Sequence, residues 1–321
     1  MDSLARTQRS ILNACLYFSV MYAEASMADE ARTQTAETTS FVHSVRESVH
    51  PVDVLSLFVV PTALLAVFSL PIETRKSLAF SYEAPTLFTA FTSSFVHLDA
   101  GHLLTNLGGY FLVVPLVYLL CVLSGRRGLF YVAFVTFVTV FPVVLSYLNL
   151  AIARAGLEIG FSGIVLAFLG FLPLALTGYL ATHFSVEDPL DAAATLFFIG
   201  VALISVISVQ SLETYGLAAA ATLAAVLFIL PRLDGRDRAR PGVRAAVNAA
   251  GYFELAVVGV IVFLSLAAAA FPSDPVVALG TLNIYGHLLG YALGFIVVYT
   301  TVHVWNRRSD LADESAHTGV F

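Results

Sequence analysis

The chain has 321 residues, of which 58% are hydrophobic and only 12% are charged, and its net charge is −6. A soluble globular domain carries about 25% charged residues, so this composition excludes an ordinary soluble protein and is typical of a membrane protein. The acidic balance, with Lys76 as the single lysine, predicts no nucleic-acid partner. Two cysteines, Cys15 and Cys121, predict neither a disulfide framework nor a cysteine-based metal site.

The predicted elements begin with a polar N-terminal region, residues 1–51, which we expect to be flexible and cytoplasmic. Within it, the apolar run Ile11–Ala23 is shorter than the ~20 residues that a membrane span requires. This run is compatible with a signal-like segment, with an interfacial helix, or with an upstream extension of a chain that starts at Met27. The sequence does not distinguish these three interpretations.

Residues 52–306 contain eight apolar segments that approach the ~20 residues needed to cross a bilayer. We therefore predict one transmembrane domain there, followed by a polar and disordered C-terminal tail, residues 307–321. The predicted spans are Val54–Ile72, His102–Leu123, Leu129–Leu150, Gly160–Leu180, Ala193–Val209, Tyr215–Leu230, Tyr252–Phe271 and Ile284–Trp305. The fifth and sixth spans are the shortest and have the weakest signal.

Basic residues predict the orientation, because cytoplasmic loops are enriched in arginine and lysine. With a cytoplasmic N-terminus, thirteen of the sixteen lysine and arginine residues lie inside, including the five from Arg232 to Arg244. The reversed orientation inverts this ratio. We therefore predict a multi-pass protein of the plasma membrane, with both termini inside and the long segment Glu73–Asp99 on the outer side.

Polar residues mark the start of three predicted spans, the second, the fourth and the eighth. They are His97, His102 and Asn106 at the second span, Gly160, Ser162 and Gly163 at the fourth, and His287, Gly290 and Gly294 at the eighth. Ionisable groups in a span are costly and commonly mark function. Because all three starts lie at the outer face in the predicted topology, we expect the three clusters to form one shared site.

A serine and histidines at such a site point to nucleophilic catalysis. Serine is a weak nucleophile until a base accepts its proton, and histidine is the usual base, so we predict these roles for Ser162 and His287. A tetrahedral intermediate then needs donors for its oxyanion. His102, the amide of Asn106 and the backbone N–H of Ser162 at a helix N-terminus are predicted to supply them.

The glycines suit the same site. Gly160 and Gly163 would let a substrate backbone approach the serine. Gly290 and Gly294 would let the eighth span pack closely on its neighbour, which would bring His287 to the serine. As isolated features, however, the serine is better explained as a helix-packing residue, and His287 as a satisfied buried histidine; only the combination of the motifs favours a catalytic site.

The combination of His97-x4-His102-x3-Asn106, Gly160-x-Ser162-Gly163 and His287-x2-Gly290-x3-Gly294 resembles the rhomboid intramembrane serine proteases, over about residues 51–305. The resemblance implies a rhomboid-like helical bundle with a six-helix core. It implies a Ser162–His287 catalytic dyad, an oxyanion hole of His102, Asn106 and Ser162, and a supporting role for His97 in the outer loop. It also implies no cofactor, and substrates that are single-span membrane proteins, cut at or near the outer end of their transmembrane helix.

The sequence departs from the family's pattern in three ways. Three predicted spans separate the serine from the histidine where the family has one, so about two transmembrane helices are extra. An odd number of intervening spans still brings His287 to the outer side. Leu166 occupies the position at which many members carry a tyrosine that stacks on the histidine, so His287 must be held differently. The outer Trp-Arg pair is missing, since the only tryptophan, Trp305, lies at the inner end.

Two other classes of function fit the sequence less well. A catalytically silent rhomboid-like protein that binds membrane substrates is disfavoured because Ser162 and His287 are both present. A transporter or channel is expected to show polar groups near the midplane and matching broken helices in two halves, and no internal repeat is visible. A metal site is not expected, because the spacing of His97 and His102 is poor for two ligands on one helix. The sequence does not indicate the substrate or the oligomeric state.

Overall fold

The computed structural model describes residues 41–152, 155–184, 186–208, 211–233, 250–274, 276–277 and 280–318. These residues form helices α1 (41–48), α2 (Pro51–Phe68), α3 (Ile72–Ser77), α4 (Leu87–Thr92), α5 (Ala100–Leu123), α6 (Arg127–Thr139), α7 (Phe141–Asn149), α8 (Ser162–Phe184), α9 (Pro189–Ile207), α10 (Leu212–Leu233), α11 (Tyr252–Ala270) and α12 (Ile284–Thr318). Among them, seven are long and apolar enough to cross a membrane, and the bent pair α6–α7 makes an eighth candidate. The chain is therefore a multi-pass, all-α membrane protein, as predicted.

Short strands and one 3-10 turn lie in the loops between these helices. Strand β1 (Phe80–Ser81) pairs antiparallel with β2 (Leu157–Glu158), and β3 (Val276–Val277) pairs antiparallel with β4 (Gly280–Thr281). The 3-10 turn is Ser93–Phe95. The first of these sheets joins the loop after α3 to the loop that precedes Ser162.

The predicted third span is bent rather than straight. Helices α6 and α7 meet at an angle of 48°. Pro142 stands in the first turn of α7 and has no N–H to donate, which interrupts the helical ladder. Helix α6 starts just after the end of α5, whereas Gly160, beyond α7, contacts His102 in the first turn of α5. The bent pair therefore runs once from one end of the bundle to the other.

Helix α8 is the central helix of the bundle. Every side chain from Ile164 to Tyr179 is buried, as expected for a helix that is hydrophobic on all faces. Helices α5, α9, α11 and α12 pack around it. Helices α9, α10 and α11 all lie between α8 and α12 in the chain, which are the three intervening spans predicted from the sequence. Helix α10 packs on α9 and leaves most of its apolar surface exposed.

The backbones of α8 and α12 touch where the glycines lie. A Cβ atom at Gly290 would stand 2.0 Å from the carbonyl oxygen of Gly163, and one at Gly294 would stand 2.1 Å from that of Ala167. Neither position has room for any side chain. This close approach is what Gly290 and Gly294 were predicted to allow.

One buried carboxylate ties α2 to α5 and α6 at the end of the bundle away from Ser162. Asp53 accepts hydrogen bonds from Tyr118 at 2.6 Å, from Tyr131 at 2.5 Å and from Arg127 at 2.7 Å. A buried carboxylate is tolerated when it is paired in this way. The cluster therefore fixes the position of α2 on the bundle.

The two ends of the described chain differ from the predictions. Residues 41–48, assigned to a flexible region, form α1, and the Tyr252 hydroxyl of α11 donates to Ser44 at 2.9 Å. Residues 307–318, expected to be disordered, continue α12 as helix to Thr318. The apolar run Ile11–Ala23 and residues 234–249, with most of the arginine cluster, lie outside the described residues.

Candidate active site

Ser162 and His287 are in direct contact. Ser162 is the first residue of α8, and His287 lies in the first turn of α12. The distance from His287 Nε2 to Ser162 Oγ is 2.8 Å, although 125 residues separate them in the chain. His287 is only 5% exposed. The packing of α8 on α12 therefore joins the serine and the histidine that the sequence singled out.

The end of α11 orients the histidine ring. His287 Nδ1 lies 2.9 Å from the carbonyl oxygen of Ala270. A carbonyl only accepts hydrogen bonds, so this contact assigns the proton to Nδ1 and leaves Nε2 of the neutral ring to accept the serine hydroxyl. The ring of Phe271 packs edge-to-face against the imidazole at 5.9 Å.

The contact between His287 and the Ala270 carbonyl was not predicted from the sequence. The predicted position for a stacking residue holds Leu166, which is buried in α8. The structure instead holds His287 through a main-chain carbonyl and a phenylalanine. No side-chain pattern marks a carbonyl, so the sequence contains no signal for it.

The histidine motif at the start of α5 and the loop before Ser162 meet at Gly160. A Cβ atom there would stand 2.6 Å from Cε1 of His102, and the φ angle of Gly160 is +105°, a conformation that favours glycine. The Gly160 amide donates to the Ser93 carbonyl at 3.1 Å, which fixes the loop. The half-buried His102 ring thus lies against Gly160, which is two residues before Ser162 in the chain. No described residue forms a hydrogen bond with the ring nitrogens of His102. Gly163 lies against Leu145, from which a Cβ atom would be 3.0 Å away.

Asn106 is buried one turn below His102. Its Nδ2 donates to the His102 carbonyl at 2.9 Å, and its Oδ1 has no hydrogen-bond partner. An amide nitrogen carries two N–H groups, so one of them is used inside the helix and the second stays available. The predicted donor is thus present, with part of its capacity directed to its own helix.

His97 precedes α5, as predicted, and is completely buried. Its carbonyl accepts a 2.7 Å hydrogen bond from Arg75, and its ring contacts that of His102 edge-to-face with 4.8 Å between centroids. Neither ring nitrogen makes a hydrogen bond of good geometry. Burial, reinforced by the neighbouring His102, lowers the pKa of His97 to about 4, so this ring is neutral at neutral pH.

The first amides of α8 are unpaired. The Phe161 carbonyl accepts from the amides of Ile164 and Val165, whereas the amides of Ser162 and Gly163 make no backbone hydrogen bond within the described residues. Such amides at a helix N-terminus point toward, and favour, negative charge. The site can therefore offer backbone donors beside the serine hydroxyl.

All three sequence motifs meet at one end of the bundle. The geometry provides a serine hydroxyl that is hydrogen-bonded to an oriented imidazole, with several N–H groups nearby, which is an arrangement suited to acyl transfer. Within the described residues, no group of three or more His, Cys, Asp or Glu side chains is arranged to hold a metal ion. Comparisons with protein-family models, with curated proteins and with solved structures gave no match to this chain.

Proposed function

We propose that this protein is an intramembrane serine endopeptidase of the rhomboid type, with Ser162 as the nucleophile and His287 as the general base. The observation that carries the proposal is the 2.8 Å contact from Ser162 Oγ to His287 Nε2, on a ring whose Nδ1 is held by Ala270. A packing serine in a helix bonds back to a carbonyl one turn earlier. Ser162 stands at the helix start, and the only hydrogen bond of its hydroxyl among the described residues is to His287.

In the proposed reaction, Ser162 Oγ attacks the scissile carbonyl carbon while Nε2 of His287 takes the hydroxyl proton. The C–N bond then breaks as the imidazolium returns this proton to the leaving amine. Water hydrolyses the acyl-enzyme with the same histidine as base. The hydrogen bond from Nδ1 to Ala270 keeps the ring in the tautomer that accepts a proton at Nε2, so no aspartate is needed.

The oxyanion of each tetrahedral intermediate is stabilised by donors around the serine. These are the Ser162 amide, the ring of His102 and the remaining N–H of Asn106. His102 suits this role because its ring is half-buried, beside Gly160, and without a partner among the described residues. Preorganised donors of this kind stabilise the developing charge without reorganising water.

The location of the site inside a membrane protein suggests the substrate class. A soluble peptide would not reach a serine at the start of a central transmembrane helix, whereas a membrane-spanning helix can approach from the lipid. We propose that single-span membrane proteins of the plasma membrane unwind near the outer leaflet and are cut there. The segment Glu73–Asp99 lies at the same end of the bundle as Ser162, which we call the serine end, and would border the path of these substrates.

Labelling with a fluorophosphonate probe in detergent tests the proposal. The wild-type protein should be labelled on Ser162, and Ser162→Ala and His287→Ala should both lose labelling. Ser205→Ala is the matched control, because this buried serine bonds back to the Val201 carbonyl on α9. Full labelling of Ser162→Ala would refute the mechanism. A folded wild-type protein that is not labelled would favour a silent protein that binds membrane substrates.

A further inference from the structure

The loop before Ser162 is joined to the start of α12 by a chain of side-chain hydrogen bonds outside the dyad. Asn149 Nδ2 donates to Glu158 Oε1 at 2.8 Å, and Asn283 Nδ2 donates to Asn149 Oδ1 at 3.0 Å. We call Glu158, Asn149 and Asn283 the relay. Tyr82 supports its first member, since the tyrosine hydroxyl donates to Glu158 Oε2 at 3.1 Å.

Asn283 is the N-cap of the helix that carries the histidine. Its Oδ1 accepts from the Gly286 amide at 2.9 Å, and its carbonyl accepts from the His287 amide at 3.0 Å. The same side-chain amide thus holds the first turn of α12 with its oxygen and docks on Asn149 with its nitrogen. A Cβ atom at Gly286 would stand 2.6 Å from Asn283 Nδ2, so a glycine is needed at this point.

Asn149 has a fixed orientation. It is completely buried at the C-terminal end of α7, and its Nδ2 also donates to the Leu145 carbonyl at 3.0 Å. If the amide were rotated by 180°, its oxygen would face the Leu145 carbonyl and the Glu158 carboxylate, and both donated hydrogen bonds would be lost. Such a loss is costly at a buried site. Asn149 therefore presents its oxygen to Asn283 and its nitrogen to Glu158.

We propose that Glu158, Asn149 and Asn283 are positioning residues that set the distance between His287 and Ser162. The inference rests on the proposed function and names residues that support it. Glu158 lies four residues before Ser162, and Asn283 lies four residues before His287. The glycine contacts at Gly290 and beyond hold the axes of α8 and α12 together, whereas the relay ties the two loops that lead into these helices. A misplacement of about 1 Å in such a site can cost ~10²-fold in rate.

Reversing donor and acceptor tests the relay. Asn149→Asp places a carboxylate oxygen against the carboxylate of Glu158, so the hydrogen bond between them is lost and the two groups repel. The second-order rate of fluorophosphonate labelling should fall by about 10- to 100-fold. Adding Glu158→Gln supplies an amide that donates to the new carboxylate, while that carboxylate still accepts from Asn283. The Leu145 carbonyl still faces the new carboxylate, so the double variant should recover part of the lost rate and label at least threefold faster than Asn149→Asp. A double variant no faster than Asn149→Asp would overturn the proposal.

Asn283→Asp separates positioning from folding. Aspartate is as good an N-cap as asparagine, so the cap to Gly286 is retained, but the bond to Asn149 is lost. We expect labelling to slow at least tenfold with a thermal midpoint within a few degrees of wild type. This variant decides the question if Asn149→Asp does not fold. Asn306→Asp, exposed near the far end of the same helix, is the matched control and should label at the wild-type rate.

The ¹⁵N resonances of His287 give a readout that does not depend on catalysis. Loss of the hydrogen bond at Nε2 should shift this resonance in Asn149→Asp and Asn283→Asp, and the Asn149→Asp/Glu158→Gln double variant should move it back toward the wild-type position. If the wild-type protein is not labelled, the proposed function fails, and the imidazole spectrum still tests the relay. Unchanged His287 resonances in both single variants would overturn the relay even where the wild-type protein is labelled.

Discussion

At the residue scale, three histidines at the serine end occupy three different environments. His287 has a hydrogen-bond partner at both ring nitrogens. The ring of His102 is half-buried and that of His97 is buried, and within the described residues neither ring makes a hydrogen bond of good geometry. These environments suit a base, an oxyanion donor and a neutral packing residue, respectively. The chemistry of each imidazole thus follows from its surroundings and not from its residue type.

Asn106→Ala should slow fluorophosphonate labelling by about 10²–10³-fold without abolishing it, because one oxyanion donor of several is removed. Asn106→Asp keeps the size of the side chain and removes both N–H groups, so its labelling rate should fall by a similar factor. Initial labelling rates at matched protein concentrations check this. Labelling of both variants at the wild-type rate would exclude Asn106 from the oxyanion hole.

His97→Leu should make the protein less sensitive to acid. The folded-state pKa of His97 is about 4, below the ~6.5 of an unfolded histidine. The unfolded chain therefore binds the proton first, and stability is lost as the pH falls from about 6.5 to about 4, by roughly 3 kcal/mol. Leucine has a similar volume and leaves no ring nitrogen unpaired, so at pH 7 the variant should be about as stable as wild type.

Unfolding midpoints in detergent at pH 7 and pH 4 test the His97 prediction. His43→Leu is the control, because this histidine is exposed on α1 and paired with the exposed Glu47. It should leave the acid sensitivity of the wild-type protein unchanged. Equal losses of stability in His97→Leu and wild type would contradict a buried, neutral His97.

At the scale of elements, the crossing of α8 and α12 determines the site. Gly163 and Ala167 on α8 face Gly290 and Gly294 on α12, so main-chain atoms of the two helices are in contact. Helix α11 contributes its last carbonyl, at Ala270, to the same place. Helix α10 packs on α9, away from the contact of α8 with α12.

Gly290→Ala should separate α8 from α12. Its Cβ atom would stand 2.0 Å from the Gly163 carbonyl oxygen, so the helices must move apart and His287 must leave Ser162. We expect labelling to fall at least tenfold and stability to fall by about 1–3 kcal/mol or more. Gly108→Ala on α5 is the matched control, since nothing lies within 4 Å of its new methyl group. That substitution should be neutral or slightly stabilising, and equal effects of the two would refute the packing argument.

At the scale of the whole molecule, the described helices run between two chemically distinct ends. The serine end carries the loops that meet around Ser162. The opposite end carries Asp53, Arg127 and their tyrosine partners. The positive-inside argument predicts that the serine end faces outward, which is the side at which substrates would be cut.

Single cysteines test this orientation in intact cells, in a background in which Cys15 is changed to serine and the buried Cys121 is retained. Glu83→Cys is exposed at the serine end, and Asn306→Cys is exposed at the opposite end. A membrane-impermeant maleimide should label the first in intact cells and the second only after permeabilisation. The reverse pattern would place the site on the cytoplasmic side and contradict cleavage at the outer face.

The class of the protein and the residue types of the candidate site could be predicted from the amino-acid sequence. Apolar runs of about 20 residues must form helices in a bilayer, because every backbone polar group there needs an internal partner. Seven helices and the bent pair accordingly follow the predicted spans. Ser162, His287 and the glycines of α12 were recognisable because a hydroxyl, an imidazole and missing side chains are unusual in such runs.

The contacts that hold these residues in place could not be predicted in this way, because they depend on tertiary packing. The hydrogen bond between His287 and Ala270 joins residues 17 positions apart, and that between Asn283 and Asn149 joins residues 134 positions apart. No local sequence pattern marks a main-chain oxygen or a satisfied buried amide. The bend between α6 and α7 is another such feature, since Pro142 permits it but packing sets its angle of 48°. Local sequence specifies which groups are present, whereas distances between them depend on how whole helices pack.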